Sequence, residues 1–167
     1  MTNEGRLYAD LSALGIAHEV IEHEAVFTVD ESHALHRDIL GAHTKNLFLK
    51  DANGRFWLVT VPADARVDLK ALPDAIGSKK VSFGKAEDME KLLGVSPGSV
   101  TPIAAINDAD GKVTVVLDAA FAGAGRINVH PLRNTATIGL ATSDLVRALC
   151  HWGHEPLIVA IPVKEFA

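Results

Sequence analysis

The nine residues Gly94–Pro102, GVSPGSVTP, constrain this chain more than any other stretch of it. Two prolines and two glycines stand among three hydroxyl side chains, so the segment can neither continue a helix nor sit inside a central strand. It lies in mid-chain, between a helix-like run and the strand-like Lys112–Leu117. A loop so restricted fixes the directions of its backbone N–H and C=O groups. Two readings follow: a structural turn, or a rigid wall that holds a small polar ligand through backbone groups alone.

The 167 residues suit one domain, 1–167, long enough to bury a substantial core. With 48% hydrophobic and 22% charged residues the chain has the balance of a folded protein. Aromatic residues are only 5%, which argues against a platform for stacking several bases. The net charge of −5, from 21 acidic and 16 basic residues, argues against gripping long nucleic acid by charge alone. A local basic patch is still compatible with it, and Lys45, Lys50, Arg55, Lys79, Lys80 and Lys85 are its candidates. One cysteine, Cys150, excludes an internal disulfide framework, and its apolar periodic surroundings read as a buried core thiol. The first residues form no apolar run of signal-peptide length, and no segment approaches bilayer-spanning length. A soluble cytoplasmic protein without membrane contact is the expectation.

Hydrophobic periodicity supplies the elements. Arg6–Leu14 is a helix with Leu7, Leu11 and Leu14 on one face and Gly15 as its stop. Ala17–Ile21 is a short strand, and Thr28 with Glu31 three positions later reads as a capping box. Asn46–Leu49 and Phe56–Val61 are strands joined by a hairpin-type turn. Asp68–Ile76 reads as a helix closed by Gly77, Lys79–Phe83 as extended, and Ala86–Leu93 as a helix closed by Gly94. Lys112–Leu117, Ile127–Val129, Thr135–Leu140 and Leu157–Ile161 are further strands. Thr142 or Ser143 caps a last helix that runs to about Trp152. Strands and helices alternate without regular βαβ spacing, so the expected fold is mixed α/β (α+β), a mixed, largely antiparallel sheet surrounded by helices.

Few residues carry chemistry. Lys45 stands just before the apolar Leu47–Leu49, either as a solvated charge or as a point charge at the mouth of the sheet. Asn46 adds two donors and an acceptor beside it. Pro131 biases His130 toward an extended backbone, and Asn134 and Thr135 can orient the ring or serve the local turn. The pairs His33/His36 and His151/His154 lack a cysteine or carboxylate at zinc-site spacing, so no metal is expected. Ser99 has no adjacent base and there is no G-x-S-x-G elbow, so a covalent hydrolase fits poorly. No G-x-G-x-x-G or Walker sequence occurs either.

Five segments in order, HEAVFTVDES, TKNLFLKD, PADARVDLKAL, SFGKAEDMEKLLGVSPGSVTP and NVHPLRNTATIGL, resemble the YbaK / prolyl-tRNA editing domain family. The resemblance runs from about Ala17 to Pro162 and looks closest to free-standing bacterial members. It implies a compact mixed α/β fold and a deacylase of mischarged tRNA(Pro) that uses no metal or other cofactor, with Ala-tRNA(Pro) the favoured substrate. The family's essential lysine matches Lys45, its G-x-x-x-P loop matches Gly98 to Pro102, and its pocket histidine matches His130. These matches make Lys45, Gly98 and His130 the expected catalytic set. Thr28, Asn46, Ser99, Val100, Thr101, Pro102 and Asn134 become the expected substrate contacts. The implied partners are the acceptor end of mischarged tRNA(Pro) and prolyl-tRNA synthetase, with no sequence-specific DNA. A Cys-tRNA(Pro) deacylase and a non-catalytic tRNA-binding module are the rival readings.

Overall fold

A computed structural model describes residues 2–25 and 39–164. The chain opens with α1 (Asn3–Ala13), whose N-cap Thr2 accepts a hydrogen bond from the Gly5 amide at 3.0 Å. Leu7 and Leu11 are its buried stripe, and Gly15 follows at φ +68°, the left-handed turn that stops it. β1 (His18–Glu22), β2 (Ala42–Asp51) and β3 (Phe56–Pro62) come next. After them come α2 (Leu72–Ile76), β4 (Val81–Phe83) and α3 (Ala86–Leu93). Two 3-10 segments, Pro97–Ser99 and Pro102–Asn107, lead to β5 (Val113–Asp118), and a third, Ala119–Gly123, to β6 (Arg126–Val129). β7 (Ala136–Ala141), α4 (Thr142–His151) and β8 (Leu157–Val159) complete the order.

The strands form one sheet in the order β1-β7-β6-β2-β3-β5-β8, with β4 attached to β2. Among the described residues four pairings are antiparallel and three are parallel, so the mixed, mostly antiparallel sheet expected from the sequence is observed. Period-two alternation divides the core between its faces. Phe48, Leu58, Val113, Val115 and Leu117 face one side, packed with Leu7 and Leu11 of α1, Met89 and Leu93 of α3, and Leu145 and Leu149 of α4. Leu49, Trp57, Val59, Val61 and Val116 face the other, beneath Leu72 and Ile76 of α2.

Several boundaries move for identifiable reasons. The helix expected over residues 68–76 is only Leu72–Ile76, because the Asp68 carboxylate caps the Lys70 amide at 3.1 Å and holds a turn ahead of Pro73. Neither Thr142 nor Ser143 caps α4: its N-cap is Ala141, without a side-chain bond, and the Thr142 amide donates to Gly125 O at 2.9 Å. Cys150 is exposed, contrary to the core reading. The buried stripe of α4 runs Leu145, Ala148, Leu149, and one further residue rotates about 100° away from it. The capping box at Thr28 and the His33/His36 pair lie outside the described residues. Among the described residues no helix is long and apolar enough to cross a membrane.

Candidate active site

β2 joins the two parts of the sheet, and its pairing leaves a notch. β3 runs along one edge of β2 from Thr44 to Lys50. On the other edge β6 holds only Ala42 and His43, opposite Ile127 and Asn128, and β4 holds Leu49 to Asp51. Between those contacts β2 has no strand neighbour along that edge among the described residues. Lys45 is two residues past the last paired position on β2, and His130 two past its partner on β6, so both backbones stand where the strands part. The Thr44 hydroxyl closes the base of this fork by donating to Asn128 O at 2.7 Å. Lys45 is therefore the fourth residue of a strand that starts at Ala42, rather than a residue at its entrance.

Alternation sends neighbouring side chains to opposite faces. Lys45, opposite Val61, shares its side with Leu47 and Leu49, and among the described residues its ammonium has no ion pair. Asn46 points to the other side and reaches the 94–102 loop, donating through Nδ2 to Val100 O at 3.0 Å. The Thr60 hydroxyl donates to Asn46 Oδ1 at 2.6 Å and fixes the amide's orientation. Asn46 thus spends its oxygen and one donor on holding the loop against the sheet, and one N–H is left to meet a ligand.

The loop itself is two 3-10 turns, each entered at a proline that needs no N–H partner. Thr101 caps the second, its hydroxyl accepting from Ile103 N at 3.3 Å. Ser99, Val100, Thr101 and Pro102 are buried, so these expected substrate contacts have little but backbone to offer. Pro97 and Gly98 are exposed. A Cβ on Gly98 would lie 3.1 Å from Asn134 Nδ2, which places the connection between β6 and β7 directly beside the loop. The structure thus brings Asn46, Gly98 and Asn134 together, with the backbones of Lys45 and His130 at the adjoining fork.

His130 is half-buried, and its Nδ1 lies 3.3 Å from Ala136 O. Burial pushes its pKa below the ordinary 6.5, and the nearby His23 adds to the shift. In the neutral ring Nδ1–H donates to that carbonyl, which leaves the Nε2 lone pair as an acceptor. The imidazole should therefore titrate below 6.5 when followed by NMR, and a midpoint at or above 6.5 would contradict the burial. The linked stability effect has a definite sign. As pH falls the unfolded chain takes up this proton first, so stability is lost from about 6.5 down through the folded value and is unaffected above it.

Sequence reasoning missed the group that holds this connection. Arg133 donates through Nε to Glu4 Oε1 of α1 at 2.8 Å and through both Nη atoms to Glu22 of β1 at 2.7 and 2.6 Å. Tyr8 OH donates to the second Glu4 oxygen at 2.7 Å. The guanidinium hydrogen bond holds the Glu22 carboxyl below its usual range. Leu132 has φ +72°, a backbone conformation that costs a non-glycine residue about 1 kcal/mol. Its side chain packs on the core, and Arg133 locks the next residue. His23 joins the same assembly, with its Nε2 2.9 Å from Thr137 Oγ1 and its amide donating to Thr135 O.

The comparisons with known proteins bear on this assembly. The model of the aminoacyl-tRNA editing domain matches residues 23–148. A cattle (Bos taurus) protein named prolyl-tRNA synthetase associated domain-containing protein 1 is 41% identical over 89% of this chain and 90% of its own length. The prolyl-tRNA editing protein ProX of Acetoanaerobium sticklandii is 39% identical over 82% of this chain and 84% of its own. A crystal structure described as a candidate trans-editing enzyme for prolyl tRNA synthetase superposes with a TM-score of 0.73 over 98% of this chain and 99% of that one. Its 19% identity makes it evidence for the fold alone. The matched span contains β2, the glycine-proline loop and the His130 connection, and the chain belongs to the aminoacyl-tRNA editing domain family.

Proposed function

We propose that this protein hydrolyses the ester of mischarged tRNA(Pro) in trans, with Ala-tRNA(Pro) as its substrate. The observation that carries the reading is the Asn46–Val100 bond, which pins a loop of fixed backbone groups against the strand that also bears Lys45. In this scheme the terminal nucleotide enters the fork. The Lys45 ammonium, free of carboxylate partners among the described residues, holds a phosphate of that nucleotide. Backbone groups at Gly98 meet the substrate amine or the oxyanion, and His130 Nε2 accepts a hydrogen bond from the bound aminoacyl group. Water attacks the carbonyl carbon, the bond from that carbon to the ribose oxygen breaks, and the departing ribose oxygen takes the proton that the water gives up. Positioning and fixed dipoles do the work, and no step calls on a metal ion.

The biological need is physical. A synthetase pocket made for proline cannot exclude the smaller alanine, because each missing methylene is worth only about 1–3 kcal/mol. A second, smaller hydrolytic site restores the discrimination. In a reaction of prolyl-tRNA synthetase with tRNA(Pro), ATP and alanine, adding this protein should stop alanyl-tRNA(Pro) from accumulating while leaving prolyl-tRNA(Pro) synthesis intact. Undiminished accumulation would rule the reading out.

A further inference from the structure

The chain carries a net charge of −5, yet its turn at the far end of β2 is crowded with cations. Lys50, Arg55, Lys79, Lys80 and Lys85 are all exposed, and among the described residues none of them forms an ion pair. Arg126, Arg133 and Arg147, by contrast, each have a carboxylate partner. The pairing of β4 with β2 brings the chain segments that carry these cations side by side. β4 pairs with the end of β2, setting Ser82 opposite Lys50 and Val81 opposite Asp51, and the Ala52 amide donates to Lys80 O at 2.9 Å.

One buried carboxylate organises the corner. Asp51, 5% exposed, accepts from the amides of Asn53 and Arg55 at 2.9 and 3.0 Å and from Trp57 Nε1 at 3.1 Å. Burial opposes its ionisation, but these bonds and one from the Lys79 amide outweigh it and hold the carboxyl below its ordinary range. The negative charge that organises the turn is thus withdrawn from the surface, and the cations are left outside. The first acids after Lys85 are Glu87 and Asp88, in the first turn of α3, where they complement the helix dipole. Phe83, 64% exposed, lies between Lys80 and Lys85 in the chain and offers a ring face to an unpaired base.

Position favours one occupant. Phe83 stands opposite Leu49 on the face of β2 that Lys45 shares, so its exposed ring lies on the same side of the sheet as the ammonium at the fork. Five residues of strand, about 17 Å, separate the corner from Lys45 at the fork. We propose that this corner binds the phosphates of the tRNA acceptor arm whose aminoacylated end lies in the fork, an inference that rests on the deacylase reading. Unpaired cations spread over a rigid turn suit a row of phosphates, and they steer a polyanion to a protein that otherwise repels it.

The test uses a fluorescent RNA hairpin with the tRNA(Pro) acceptor-stem sequence and a single-stranded CCA end, titrated with protein across a KCl series. Lys79→Glu/Lys80→Glu should weaken binding about tenfold or more and reduce the slope of log affinity against log salt by about 2. Lys70→Glu/Lys164→Glu makes the same charge change outside the corner and should bind as wild type. The kcat/KM of the first double variant should fall at least tenfold further on alanyl-tRNA(Pro) than on an alanylated CCA trinucleotide, which is too short to reach the corner. Wild-type affinity and slope in Lys79→Glu/Lys80→Glu, or an equal loss in the control, would overturn the docking proposal. If wild-type protein hydrolyses neither ester, the deacylase reading fails, and the hairpin titration still decides whether RNA binds here.

Discussion

Lys45→Ala should lower the rate of alanyl-tRNA(Pro) hydrolysis by about 100-fold or more, the cost typical of removing one preorganised charge-stabilising group from a site. The strand alternation on β2 makes this a sharp expectation. Lys45 is not bonded into the loop as Asn46 is, and it has no ion pair to break among the described residues. Its loss should therefore leave unfolding free energy within about 0.5 kcal/mol of wild type. Lys45→Arg keeps the charge but replaces a compact ammonium with a planar fork, and should recover only part of the rate. Single-turnover hydrolysis beside a denaturant melt separates the two effects. A loss under about threefold, or a loss explained by unfolding, would remove Lys45 from the machinery.

Gly84→Ala should act in the opposite way, on stability first. The chain crosses over the sheet at Gly84, whose amide donates to Phe48 O at 2.8 Å, and a Cβ there would sit inside the Phe48 ring. Phe48 is 3% exposed and stacks on Phe56 with centroids 5.4 Å apart, so the ring has nowhere to go. Overpacking of this kind costs about 3 kcal/mol, or about 6–12 °C in Tm for a chain of this size. The crossing also sets where α3 begins, and α3 delivers the loop to Asn46. Activity at a temperature where the variant is still folded should therefore fall as well. An unchanged Tm would show that the crossing has slack.

What could be read in advance follows from the range of the forces involved. α3 was legible to the residue, because its amphipathic stripe and the left-handed Gly94 are local signals. The break from α-helix and strand at the loop is legible too, since Pro97 and Pro102 leave few other conformations. The sequence shows only the later, apolar part of β2, because Ala42, His43 and Thr44 lack an apolar pattern and are held by β6, far along the chain. The apolar run around Cys150 marks a helix without fixing which face each residue takes, which is why the exposed thiol reads as buried from sequence. The Arg133 clamp joins residues 129 and 111 positions apart, and nothing in the spacing of HPLRN announces Glu4 or Glu22 as partners. Asn46 shows in the sequence only its donors and acceptor beside Lys45, and its Val100 contact spans 54 positions. Long-range polar contacts, rather than the elements, were what the sequence concealed.

The most direct test of the account is single-turnover deacylation of purified alanyl-tRNA(Pro) and prolyl-tRNA(Pro) by the wild-type protein, side by side. Hydrolysis of the alanyl ester well above its spontaneous rate, with the prolyl ester spared by about 100-fold or more, is the predicted result. Equal rates on the two esters, or no acceleration of either, would contradict it.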